Sequence, residues 1–97
     1  MKFNINVNGK KKELDILEAA IKKGAIDVRY IYEGEEKKGH VCFRMDKKYP
    51  LLNEYGTFEE LDLNNQQLVD YIWEKSGMDR YHCLYGYTTE YRCNWED

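Results

Sequence analysis

The sequence predicts an α+β fold, a single small domain in which an antiparallel sheet of hairpins carries two α-helices on one face. Three observations predict it. Alternating apolar residues flank strong turn signals, as at Phe3, Ile5 and Val7 before Asn8-Gly9. Two segments instead show helical spacing between a capping residue and a glycine. The 97 residues match one domain, so residues 1–97 are read as a unit.

The first hairpin turns at Asn8-Gly9, and its return from Lys11 to Leu14 is expected to be short. Asp15 then resembles a helix N-cap with Glu18 three residues on. The expected first helix turns Ile16, Leu17, Ala20 and Ile21 inward and stops at Gly24, with Lys22 and Lys23 in its last turn. Ile26, Val28, Tyr30 and Tyr32 alternate with polar residues as a strand. The charged run Gly34–Gly39 reads as a solvated turn, and Val41, Phe43 and Met45 as the returning strand.

Between Asp46 and Leu63 the pattern lapses. Pro50 and Gly56 break structure there, and Thr57 with Glu60 suits a single capped turn. The second helix is the best marked. Asn64 is its expected N-cap, Gln67 stands three residues on, and Leu63 is placed to staple onto Leu68. Leu68, Tyr71 and Ile72 form its apolar face, with Val69 or Trp73 as a further candidate, and Gly77 is the expected stop. From Tyr81 to Trp95 the chain is β-prone and predicts a last hairpin turning near Thr88-Thr89.

Composition narrows the function classes. No apolar leader and no run of roughly twenty apolar residues is present, so a secreted or membrane-spanning protein is not expected. Three cysteines, an odd number, do not make a secreted disulfide framework, and a reduced cytoplasmic protein is expected. Cys83 and Cys93 could pair across the last hairpin. The chain contains no GxxxxGK[ST], GxGxxG or HExxH motif, and neither a helix N-terminus nor a Gly-rich turn activates a cysteine beside a histidine. The expectation is a protein that is not an enzyme and needs no cofactor. His40, Cys42, Cys83 and Cys93, with His82, are the residue types zinc takes, but no CxxC or HxxxH spacing organises them.

Charge is divided along the chain. Residues 1–48 carry twelve Lys and Arg against eight Asp and Glu, while residues 49–97 carry three against ten. Ten of the fourteen aromatics also lie in the second half. The lysine pairs of the first half, with Tyr30 and Tyr32 as possible stacking platforms, raise nucleic-acid binding, which the sequence pI near 5.4 opposes. Tyr and Trp among carboxylates suit a basic protein surface better. The sequence therefore predicts a small binding protein docking on a basic partner, in its most concrete form a phage-type inhibitor or nucleic-acid mimic acting on a nucleic-acid-handling host enzyme. The expected anchors are Tyr81, Tyr85, Tyr87, Tyr91 and Trp95, with Glu90, Glu96 and Asp97 as charge partners. A nucleic-acid-binding or zinc-stabilised regulator and a self-associating structural module, such as a homodimer, are the alternatives.

Overall fold

Six antiparallel strands wind in chain order into a nearly closed barrel in the computed structural model of the chain, which describes residues 1–22 and 25–77. They are β1 (Lys2–Val7), β2 (Lys10–Lys22), β3 (Ala25–Tyr32), β4 (Glu35–Cys42), β5 (Leu51–Glu54) and β6 (Glu60–Asp62). One helix, α1 (Gln66–Ser76), follows. Among the described residues the expected α+β fold with two helices is thus corrected to a mostly β barrel with one short helix.

The correction comes from β2. The segment expected as the first helix is the second half of a 13-residue strand. Ile16 pairs with Tyr30 and Glu18 with Arg29, so Leu17 is an extra residue, a β-bulge, with no partner on β3. The bulge resets the alternation, and the buried residues of β2 become Leu14, Ile16 and Ala19. That break from period two, followed by Ala and Ile, imitates helical spacing. Asp15 is no cap; its carboxylate meets the Met1 ammonium at 2.8 Å.

The β1–β2 and β3–β4 hairpins turn on Asn8-Gly9 and Glu33-Gly34, and all four residues have positive φ, as two-residue type I′ turns require. Asn8-Gly9 matches the expectation. The second turn lies earlier than expected, because Glu35–Cys42 is strand throughout and only Glu33-Gly34 turns. Phe43 and Met45 fall beyond β4.

Alternation sends Ile5, Ile16, Ile26, Val28, Tyr30, Tyr32, Val41 and Leu52 into one core with Leu63, Leu68 and Ile72. Each such aliphatic side chain contributes roughly 1.5–3 kcal/mol on full burial. Gly39, opposite Val28 on the inner face, has no space for a side chain: a Cβ there would stand 2.3 Å from the Asn53 carbonyl oxygen.

The helix packs on β2 through Leu68, Val69, Ile72 and Trp73, and Trp73 stacks on Phe43 at 4.8 Å between ring centroids. Its N-cap is Asn65, one residue later than expected, whose Oδ1 accepts from Gln67 N–H at 2.9 Å and Leu68 N–H at 3.3 Å. Gly77 caps the C-terminus as expected. Asn64 has another task. Its side chain accepts from the Asn6 N–H and donates to the Asn6 carbonyl, both at 2.8 Å, while Asn65 Nδ2 donates to the Asn4 carbonyl at 2.8 Å. Two side-chain amides thereby close the barrel where β6 has ended.

Candidate functional site

The register places Asp27 of β3, His40 of β4, Asn53 of β5 and Glu60 of β6 in one cross-strand row. Their neighbours Ile26, Val28, Val41 and Leu52 point into the core, so this row stands on the outside of the barrel. Tyr55 folds back across it. Its N–H donates to the Lys38 carbonyl at 2.9 Å, its ring lies 5.3 Å from the His40 ring, and its hydroxyl donates to Asp27 Oδ1. The phenol is pushed up to about 12, first by burial, then by donating to Asp27 and by the charge of that carboxylate.

Beside Tyr55 the β5–β6 turn holds itself rigid. Glu54 N–H donates to the Glu59 carbonyl at 3.2 Å, and Thr57 Oγ1 donates to the Glu54 carbonyl at 3.3 Å while accepting the Glu59 N–H at 3.1 Å. Thr57 therefore organises a turn, and the single capped helical turn expected of Thr57 and Glu60 is replaced by a strand at Glu60. The turn presents Phe58 fully to solvent and leaves Tyr55 half exposed. Between the turn and the strand row lies an open cleft of about 550 Å³ lined by His40, Asn53, Tyr55, Phe58, Glu59 and Glu60.

The polar groups of the row are incompletely satisfied. Asn53 Nδ2 lies 3.4 Å from His40 Nε2, and the buried His40 Nδ1 and Asn53 Oδ1, like Asp62 Oδ1 outside the row, have no hydrogen-bond partner among the described residues. Such atoms each forgo solvation without replacement, a cost of about 1–3 kcal/mol. Glu54 and Glu59 add to burial in pushing Tyr30 up to about 12, and Glu59 contributes in the same direction at Tyr32. Glu54 is paired with Lys37 at 3.3 Å, and its hydrogen bond is the main reason Lys37 is raised. Among the described residues Glu59 and Glu60 form no close ion pair, though the charge of Glu59 also contributes to raising Lys37.

The expected anchors Tyr81, Tyr85, Tyr87, Tyr91 and Trp95, with Glu90, Glu96 and Asp97, lie outside the described residues, as do His82, Cys83 and Cys93. His40 and Cys42 share the outer face of β4, as expected of alternate strand residues. Among the described residues no group of three or more His, Cys, Asp and Glu is arranged to hold a metal ion. Tyr30 and Tyr32, considered as base-stacking platforms, are core residues at 1% and 6% exposure and offer no ring face to a nucleic acid. Lys12 and Lys37, from the basic clusters, are ion-paired to Glu33 and Glu54. Sequence reasoning missed Tyr55, Phe58, Asn53, Glu59 and Glu60 as a site. The available signal was a single Phe set between Gly56-Thr57 and two glutamates, too polar a setting for a core residue.

No described helix is long and apolar enough to cross a membrane. No known protein family, curated protein or solved structure matches the chain.

Proposed function

We propose that this is a non-enzymatic binding protein that docks on a basic protein surface, with the β5–β6 turn as a contact point. The observation that carries the reading is Phe58, fully exposed at the tip of a turn fixed by its own hydrogen bonds and flanked by Glu59 and Glu60. A large ring held in water has no role in folding. Held rigidly, it gives contact area with little ordering cost on association. Carboxylates beside it steer a basic partner and reject an acidic one. This extends the acidic, aromatic character expected of the second half to residues whose positions are defined.

The test is affinity capture from the native source with the wild-type chain and with Phe58→Ser/Glu59→Lys/Glu60→Lys, across a salt series. The reading expects a basic protein retained at low salt by the wild type and lost with the variant. Because Phe58 is outside the core, Phe58→Ser alone should change stability by less than about 0.5 kcal/mol. An identical set of captured proteins from both chains would sink the proposal.

A further inference from the structure

We infer that Tyr55 is a positioning residue: its hydroxyl bond to Asp27 latches the β5–β6 turn to β3 and so fixes where Phe58 stands. This rests on the docking reading above and names what gives its contact point one location on the barrel.

The turn needs an anchor outside itself. The bonds among Glu54, Thr57 and Glu59 join near neighbours in the chain, so they fix the shape of the turn but not its place. The strands that carry it are short, with four residues in β5 and three in β6. Among the described residues, Tyr55 is the one member of 55–59 that hydrogen-bonds to another strand, and Glu59 reaches Lys37 through its charge alone.

The sheet makes the reach possible. Tyr55 lies two residues beyond Asn53, so its side chain leaves from the same outer face. The ring then crosses β4 over His40, 5.3 Å between ring centroids, and sets its hydroxyl on Asp27 of β3. The backbone adds a nearer tie, from Tyr55 N–H to the Lys38 carbonyl at 2.9 Å. One tie would leave the turn a pivot; a second, on a different strand, removes it.

The ring behaves as a strut. It is half exposed and borders open space on both sides. One side is the cleft that holds Phe58, and the other is a cleft of about 360 Å³ lined by Ala20, Ile21, Asp27, Arg29 and Lys38. Packing against His40 aside, the bond at its tip decides where the ring sits. A hydroxyl donating to a carboxylate makes a charge-assisted bond, stronger than a neutral one. An aromatic side chain fixed before contact pays less ordering cost on association.

The test compares Tyr55→Phe, Asp27→Ala and the double variant with wild type by NMR on the full chain. Tyr55→Phe keeps the ring and the backbone tie and removes the hydroxyl alone. Wild-type order parameters at Gly56, Thr57 and Phe58 should be about 0.85 and fall below about 0.6 in each single variant. The Tyr55 amide should exchange about tenfold faster, while the Val69 amide of α1 keeps its rate. The double variant should match the singles, because all three lose the same bond. Capture from the native source should retain the basic protein about threefold less with Tyr55→Phe, although Phe58, Glu59 and Glu60 are intact. A turn equally ordered in wild type and Tyr55→Phe overturns the latch, as does equal acceleration at Tyr55 and Val69, the mark of a global effect. A loosened turn with undiminished capture overturns the positioning of Phe58. The docking reading fails separately, through capture indifferent to Phe58→Ser/Glu59→Lys/Glu60→Lys, and the order parameters then still decide the latch.

Discussion

Asn64 takes the place of a strand residue opposite Asn6. Its Oδ1 accepts the Asn6 N–H and its Nδ2 donates to the Asn6 carbonyl, both at 2.8 Å, so one side chain makes the pair of bonds that a facing backbone residue makes in an antiparallel ladder. Asparagine alone with glutamine carries donor and acceptor in the amide arrangement this needs.

Asn64→Ala removes both bonds and is expected to destabilise the chain by about 2 kcal/mol, at roughly 1 kcal/mol for each. Chemical denaturation measures the loss. Hydrogen exchange at the Asn6 amide locates it, since that amide should lose protection while Ile5, bonded within the β1–β2 ladder, keeps it.

Gly39→Ala forces a Cβ to within 2.3 Å of the Asn53 carbonyl oxygen, which belongs to the backbone and cannot swing away. The β4–β5 ladder must part, at a cost of about 3 kcal/mol, the upper end for overpacking. Denaturation reads the cost. Loss of protection at the Tyr55 amide, which donates to the Lys38 carbonyl, reads its position.

Glu33→Asn should stabilise the protein by about 1 kcal/mol, because Glu33 sits at φ 52, where a long side chain is disfavoured and asparagine is tolerated. The Lys12–Glu33 ion pair lost in the exchange spans 3.9 Å at the surface and offsets little of the gain. A melting temperature equal to or below that of wild type would contradict this account of the turn.

Alkali should weaken the fold over a defined interval. Tyr30 and Tyr55 start from an ordinary value of 10.0 and are pushed up to about 12 in the folded chain. Between those values the unfolded chain has released protons that the folded chain still holds, so stability falls as pH rises. Below pH 10 both phenols are protonated in both states and add no slope. Lys37, also raised, acts in the same direction. Tyr55→Phe should flatten the fall, and tyrosinate absorbance during a pH titration should show late ionisation of Tyr30 and Tyr55, with Tyr32 raised in the same direction.

The sequence made legible what local chemistry controls. Asn8-Gly9 turns the chain, Ile26 to Tyr32 alternates as a strand, and α1 ends on Gly77. It misled where tertiary structure overrides local pattern. The unpaired Leu17 shifts β2 by one residue, and Ala19 and Ala20, good helix formers, complete the resemblance to a helix. Strands β5 and β6, of four and three residues, are too short to show a period, which hid the barrel. Asn64 and Asn65 both suit an N-cap, and only the position of β1 decides between them. The candidate site is built from residues of four strands and a turn, so neither its cleft nor the unpartnered Asn53 Oδ1 could be read from spacing.

Pairing each strand with its successor has a kinetic consequence. Every rung of the sheet joins strands consecutive in the chain, so each hairpin can form by closing a short loop at small entropic cost. The Asn6–Asn64 bond spans 58 residues and lies outside this scheme. Joining the first strand to the segment that enters the helix is therefore the slow search in folding, completed after the hairpins. The Asn64→Ala substitution should raise the unfolding rate more than it lowers the folding rate.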